Sequence, residues 1–106
     1  MDQDPTISTH ALDTEHGWPA VGIDVSLYRV TDSGEELVGH GRTDADGRIR
    51  RLLNGQLERG DYRIDISLGG AFFRAATLTF HVADTTRSYH VPVLLAPYSI
   101  ASYLGS

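Results

Sequence analysis

Four segments of this chain alternate apolar and polar residues at a period of two, and that period restricts the fold more than any other feature. Ile23, Val25 and Leu27 alternate with Asp24, Ser26 and Tyr28, and Tyr62, Ile64, Ile66 and Leu68 with Arg63, Asp65 and Ser67. Leu78, Phe80 and Val82 oppose Thr77, Thr79 and His81, while Tyr89, Val91, Val93 and Leu95 oppose His90, Pro92 and Leu94. Successive strand side chains point to opposite faces, so this pattern describes half-buried strands and does not suit a helix of 3.6-residue period. Asp32-Ser33-Gly34, Asp44-Ala45-Asp46-Gly47, Asn54-Gly55, Gly60-Asp61 and Gly69-Gly70 supply turn chemistry between them. Adding Ile7–Asp13, Glu36–Thr43, Arg48–Leu53 and Tyr98–Tyr103 gives about eight strands. The expected fold is an all-β, eight-stranded antiparallel β-sandwich with little or no helix. Pro92 has no N–H for a ladder, which places it at an edge, a bulge or the end of a sheet.

A length of 106 residues suits one domain, expected over residues 7–106 with residues 1–6 as a disordered tail. The 41% hydrophobic content supplies a core without staples. Cysteine is absent, which excludes disulfides, thiolate zinc sites and a cysteine nucleophile. Lysine is absent too, so all nine cationic side chains are arginines and Schiff-base chemistry is excluded. A net charge of -5 argues against nucleic acid or an anionic lipid surface as partner. MDQDPTIST has no apolar leader core, and no apolar run reaches about 18 residues, so the cytoplasm is expected. His16, His40 and His81 lack the spacing of a metal motif, and neither metal nor cofactor is expected.

Three stretches together are distinctive. The first is Ile7-Ser8-Thr9-His10-Ala11-Leu12-Asp13-Thr14 with His16-Gly17-Trp18-Pro19-Ala20, and the second is Thr43-Asp44-Ala45-Asp46-Gly47-Arg48. The third runs from Tyr89-His90-Val91-Pro92 to Ala96-Pro97-Tyr98 and ends in Tyr103-Leu104-Gly105-Ser106. In order and spacing they resemble the transthyretin-like proteins that act as 5-hydroxyisourate hydrolases. The resemblance implies a homotetramer, a dimer of dimers, with sites in a channel at the subunit interface. It also implies His10, Arg48 and His90 as catalytic residues, with Ser106, Tyr103 and Leu104 contacting substrate. Leu104 departs from the family's Tyr-Arg-Gly-Ser and forfeits a guanidinium. Gly69-Gly70-Ala71 stands where members carry a short helix, and Arg74 replaces the proline that follows the aromatic pair.

Taken alone, His10 on a strand is more often structural than catalytic, and Arg48 after a turn is ordinarily solvated. The motifs reverse both readings. Two imidazoles and a guanidinium form a hydrolytic set without a covalent nucleophile: a neutral histidine accepts a proton from water while arginine stabilises growing negative charge. The expected function is hydrolysis of a cyclic ureide, most like 5-hydroxyisourate in purine catabolism, with His10 preferred as base over His90. Two alternatives stand beside it: the same fold acting on a more apolar cyclic substrate, which Leu104 favours, and a non-catalytic carrier of small ligands.

Overall fold

The computed structural model describes residues 4–106. Nine strands follow one another: β1 (Ile7–Asp13), β2 (Trp18–Pro19), β3 (Asp24–Thr31), β4 (Gly34–Arg42), β5 (Arg48–Ile49), β6 (Gly60–Ser67), β7 (Ala75–Val82), β8 (Tyr89–Ala96) and β9 (Ser99–Ser102). One sheet has the order β2-β1-β8-β9, with β5 also paired to β1, and the other has the order β4-β3-β6-β7. No helix occurs among the described residues. The expected all-β sandwich is present, with β2 and β5 as short additions at its rim.

Alternation explains which face of each strand is inside. Ile7, Thr9, Ala11, Tyr89, Val91 and Val93 from the first sheet meet Val25, Leu27, Tyr62, Ile64, Ile66 and Val82 from the second. Burying each of the larger aliphatic chains stabilises by roughly 1.5–3 kcal/mol. Thr9, the polar exception, donates its hydroxyl to the Val91 carbonyl at 2.7 Å, so its burial leaves no unsatisfied group.

Three details differ from expectation. The β1–β8 ladder is parallel, from Ile7↔Tyr89 to Asp13↔Leu95, while every other strand pairing is antiparallel. No hairpin joins these two strands. The chain leaves β1, builds the opposite sheet and returns, and a parallel pair is what such a long crossover permits. The segment expected as a strand over Arg48–Leu53 pairs only at Arg48 and Ile49. Beyond them Leu52 and Leu53 turn into the core, and the Leu52 carbonyl lies where a Cβ on Gly39 would come within 1.8 Å. Thirdly, Thr6, expected in the tail, is tied to the start of β8. It is buried, its N–H donates to Ser88 Oγ at 2.9 Å, and its carbonyl accepts from Tyr89 N–H at 2.9 Å. Residues 1–3 of the expected tail lie outside the described residues.

Pro92 sits inside β8, buried, opposite His10 on β1. Its missing donor falls in a gap on the other side of the strand. The β8–β9 ladder stops at Val93↔Ser102, and pairing resumes only at the isolated bridge His90↔Gly105. The shortened segment at Gly69-Gly70 is a tight connection, with the Leu68 and Gly69 N–H groups both donating to the Arg74 carbonyl.

Candidate active site

The outer face of the first sheet carries the residues of the candidate site. Because Ile7, Thr9 and Ala11 point inward, Ser8 and His10 point outward, and the parallel register sets Ser8 opposite His90. On the other side of β1, His10 pairs directly with Arg48. Two ladders therefore bring together three residues that are 38 and 42 positions apart along the chain (48 − 10 and 90 − 48).

The turn ahead of β5 aims Arg48. One Asp44 carboxylate oxygen accepts from the N–H of Asp46 at 2.9 Å and of Arg48 at 3.0 Å. These bonds, that of Arg48 first, hold the Asp44 carboxyl below the usual carboxylate range. Gly47 has φ +76°, and a Cβ there would meet the Ala11 carbonyl oxygen at 2.4 Å. That carbonyl is close because Ala11 N–H donates to the Gly47 carbonyl at 2.7 Å, which seats the turn against β1.

The same turn selects the tautomer of His10. His10 Nε2 lies 2.9 Å from the Asp46 carbonyl oxygen. A carbonyl oxygen can only accept, so Nε2 carries the proton and Nδ1 of the neutral ring keeps its lone pair. His90 is bound differently. Its Nδ1 is 2.8 Å from Ser8 Oγ, and its carbonyl accepts from Gly105 N–H at 2.8 Å. Burial, then the neighbouring Arg48 guanidinium and then His10, lower the His90 pKa below its ordinary value, so the ring is neutral near pH 7.

A groove of about 500 Å³ opens over this face, and Ser8, Arg48, Arg50, Arg87, His90 and Ser106 are among its walls. It has three arginines and no aspartate or glutamate in its lining, within a chain of net charge -5. His10 flanks the groove, half-buried, from its place across the ladder from Arg48. Of the three residues expected at the substrate, Ser106 lines this groove. Tyr103 and Leu104 line another, of about 260 Å³, against Leu78 and Phe80 of β7. The reason lies in the backbone: the chain leaves β9 at Ser102 and rejoins β8 only at Gly105, so the two residues between stand out, 57% and 56% exposed.

Arg50 and Arg87 are wall residues that the motif reading passed over. Arg50 had a usable signal, lying two residues beyond Arg48, whereas nothing local marks Arg87, whose guanidinium stands 5.0 Å from the Tyr89 ring centre. His16 lies elsewhere, exposed and paired with Asp13 at 2.9 Å, and that bond raises its pKa.

Residues 7–105 match the profile of the HIUase/Transthyretin family. The chain is 38% identical over 119 residues to the 5-hydroxyisourate hydrolase of Deinococcus radiodurans, with all of both chains covered. The structure of Klebsiella pneumoniae 5-hydroxyisourate hydrolase superposes with TM-score 0.83 at 32% identity, covering 96% of this chain and 99% of that one. Sea bream transthyretin, solved with thyroxine, superposes at 0.85 over 93% of each chain but is 24% identical, a likeness of fold alone. With its sandwich, its three motifs and a match that spans almost its whole length, this chain belongs to the HIUase/Transthyretin family.

Proposed function

We propose that this protein is a hydrolase that opens the ring of 5-hydroxyisourate. The observation that carries the reading is the convergence of His10, Arg48 and His90 on one face through two strand registers. Relatives that bear the name 5-hydroxyisourate hydrolase support it across the full chain length.

In this mechanism His10 Nδ1, the ring nitrogen with a free lone pair, takes a proton from water as the oxygen bonds to the ring carbonyl carbon. Negative charge grows on the carbonyl oxygen, where the Arg48 guanidinium stabilises it. The carbon–nitrogen bond then breaks, the leaving nitrogen receives the proton held by His10, and the carbon is left as a carboxylic acid that loses its remaining proton to solvent. His90, neutral, orients the ring by hydrogen bonding rather than by giving up a proton. Ser106 on the groove wall is the terminal contact to substrate.

The groove lies open on an outer sheet face, which fits a site completed by other subunits in a homotetramer built as a dimer of dimers. A place in purine catabolism in the cytoplasm accords with this chemistry, and no helix among the described residues is long and apolar enough to cross a membrane. The position of Leu104 against β7, away from the His90 groove, supports the ureide over a more apolar substrate.

The test generates 5-hydroxyisourate in situ and follows its decay spectrophotometrically. Decay well above the buffer rate, lost in the double variant His10→Asn with His90→Asn, is the expected result. Decay at the buffer rate with folded protein overturns the reading.

A further inference from the structure

We propose that Ser8 is a positioning residue that fixes His90 in the Nε2–H tautomer, so that the ring presents a hydrogen-bond donor to the bound ureide. The proposal deepens the function argued above and rests on that reading for its catalytic consequence.

Ser8 and His90 are direct partners across the parallel ladder, with Oγ and Nδ1 2.8 Å apart and both groups partly buried. Their approach is a product of backbone register, so it does not depend on a long side chain finding its place. Among the described residues, His90 Nδ1 is the one hydrogen-bond partner of the Ser8 hydroxyl. A hydroxyl has a single proton to give, and the histidine nitrogen is the acceptor within reach. If Nδ1 carried the ring proton instead, the hydroxyl proton would have no acceptor among these groups, and leaving a polar group unpaired in a partly buried place is unfavourable. With Nδ1 accepting, the proton of the neutral ring is on Nε2.

The two imidazoles of the site are then set in complementary ways by their hydrogen-bond neighbours. The Asp46 carbonyl takes the Nε2 proton of His10 and leaves Nδ1 as an acceptor. The Ser8 hydroxyl takes up the Nδ1 lone pair of His90 and leaves Nε2 as a donor. One ring is suited to receive a proton from water and the other to hold a carbonyl or ring nitrogen by a hydrogen bond. Such outer partners commonly fix the tautomer and orientation of functional histidines. Burial, and then the Arg48 guanidinium and His10, oppose a second proton on its ring, and Arg50 and Arg87 stand in the same groove wall. The serine therefore selects between the two neutral forms.

The deciding experiment is nitrogen-15 NMR of the full-length protein labelled in histidine, recorded without substrate above the titration range of the histidines. The expected spectrum of the unmodified protein has His90 as one tautomer with Nε2 protonated. Ser8→Ala should give averaged His90 nitrogen shifts and Ser8→Thr should restore the single form, while the His10 signals, governed by Asp46, stay in place and report an intact site. A His90 ring protonated at Nδ1 in the unmodified protein overturns the proposal, and so does an unchanged His90 tautomer in Ser8→Ala. A ring protonated at Nδ1 in the unmodified spectrum overturns the proposal whether or not Ser8→Ala folds. In turnover, Ser8→Ala should lower kcat roughly 10- to 100-fold with a smaller change in KM. An Nε2–H tautomer in a protein that does not open 5-hydroxyisourate would leave the Ser8 assignment standing and refute the activity instead.

Discussion

His10 and Arg48 face each other across the β1–β5 ladder, so the turn that precedes Arg48 controls both the guanidinium and, through the Asp46 carbonyl, the imidazole. A displacement of that turn reaches two groups of the candidate site at once.

Gly47→Ala tests this coupling. The φ of +76° strains any side chain, and the new Cβ would meet the Ala11 carbonyl oxygen at 2.4 Å. The expected loss is about 1–3 kcal/mol of stability. Urea denaturation should report it, alongside a fall in turnover larger than the fraction unfolded explains.

Asp44 contributes a pH dependence of stability. Its carboxyl is held below the ordinary value of 3.8 by the Arg48 and Asp46 N–H groups. A carboxyl whose pKa is lower folded than unfolded contributes stability above the unfolded pKa and loses it as pH falls through the folded pKa. Thermal unfolding between neutral pH and pH 2 should therefore show a steeper acid decline for the unmodified protein than for Asp44→Asn, whose Tm is lower at neutral pH.

Arg48→Gln removes the positive charge that, after burial, does most to keep His90 neutral. The His90 pKa should rise towards 6.5, read by NMR titration of its ring protons. With the depressed value, acidification below 6.5 costs the native state stability until the folded pKa is passed, and the variant should show a smaller cost. Its turnover should fall by roughly 10²–10³ through loss of oxyanion stabilisation.

Gly105→Ala should injure activity more than stability. The added Cβ would lie 2.8 Å from His90 Cδ2 and 3.2 Å from Pro92 Cγ, and the exposed terminal segment can yield only by moving away from His90. The expected outcome is a marked drop in kcat with Tm nearly unchanged.

Leu104→Arg restores the residue found in the family's terminal motif. Since Leu104 stands against β7 and away from the His90 groove, turnover by this variant should equal that of the unmodified protein. A clear gain in kcat/KM would place the side chain at the substrate after all.

What could be read from the chain alone was local or carried by motif. Period-two alternation dictates which side chains of β3, β6, β7 and β8 face inward, because a strand's two faces are fixed by its own geometry. The turn residues mark where strands end, and the motifs single out His10, Arg48 and His90 before any distance is known. Alternation says nothing about which strand lies beside which. The parallel pairing of β1 with β8, the early departure of Leu52 into the core and the outward step of Tyr103 and Leu104 depend on packing between residues far apart in sequence. The same is true of Ser8 against His90, of Asp46 against His10, and of Arg87 in the groove wall. The sequence by itself determined the kind of fold and the residue types for the chemistry. Only the tertiary structure decided which nitrogen of His10 carries its proton and which residue lies against His90, because a hydrogen-bond partner is set by strand register, a property of two segments together that neither contains alone.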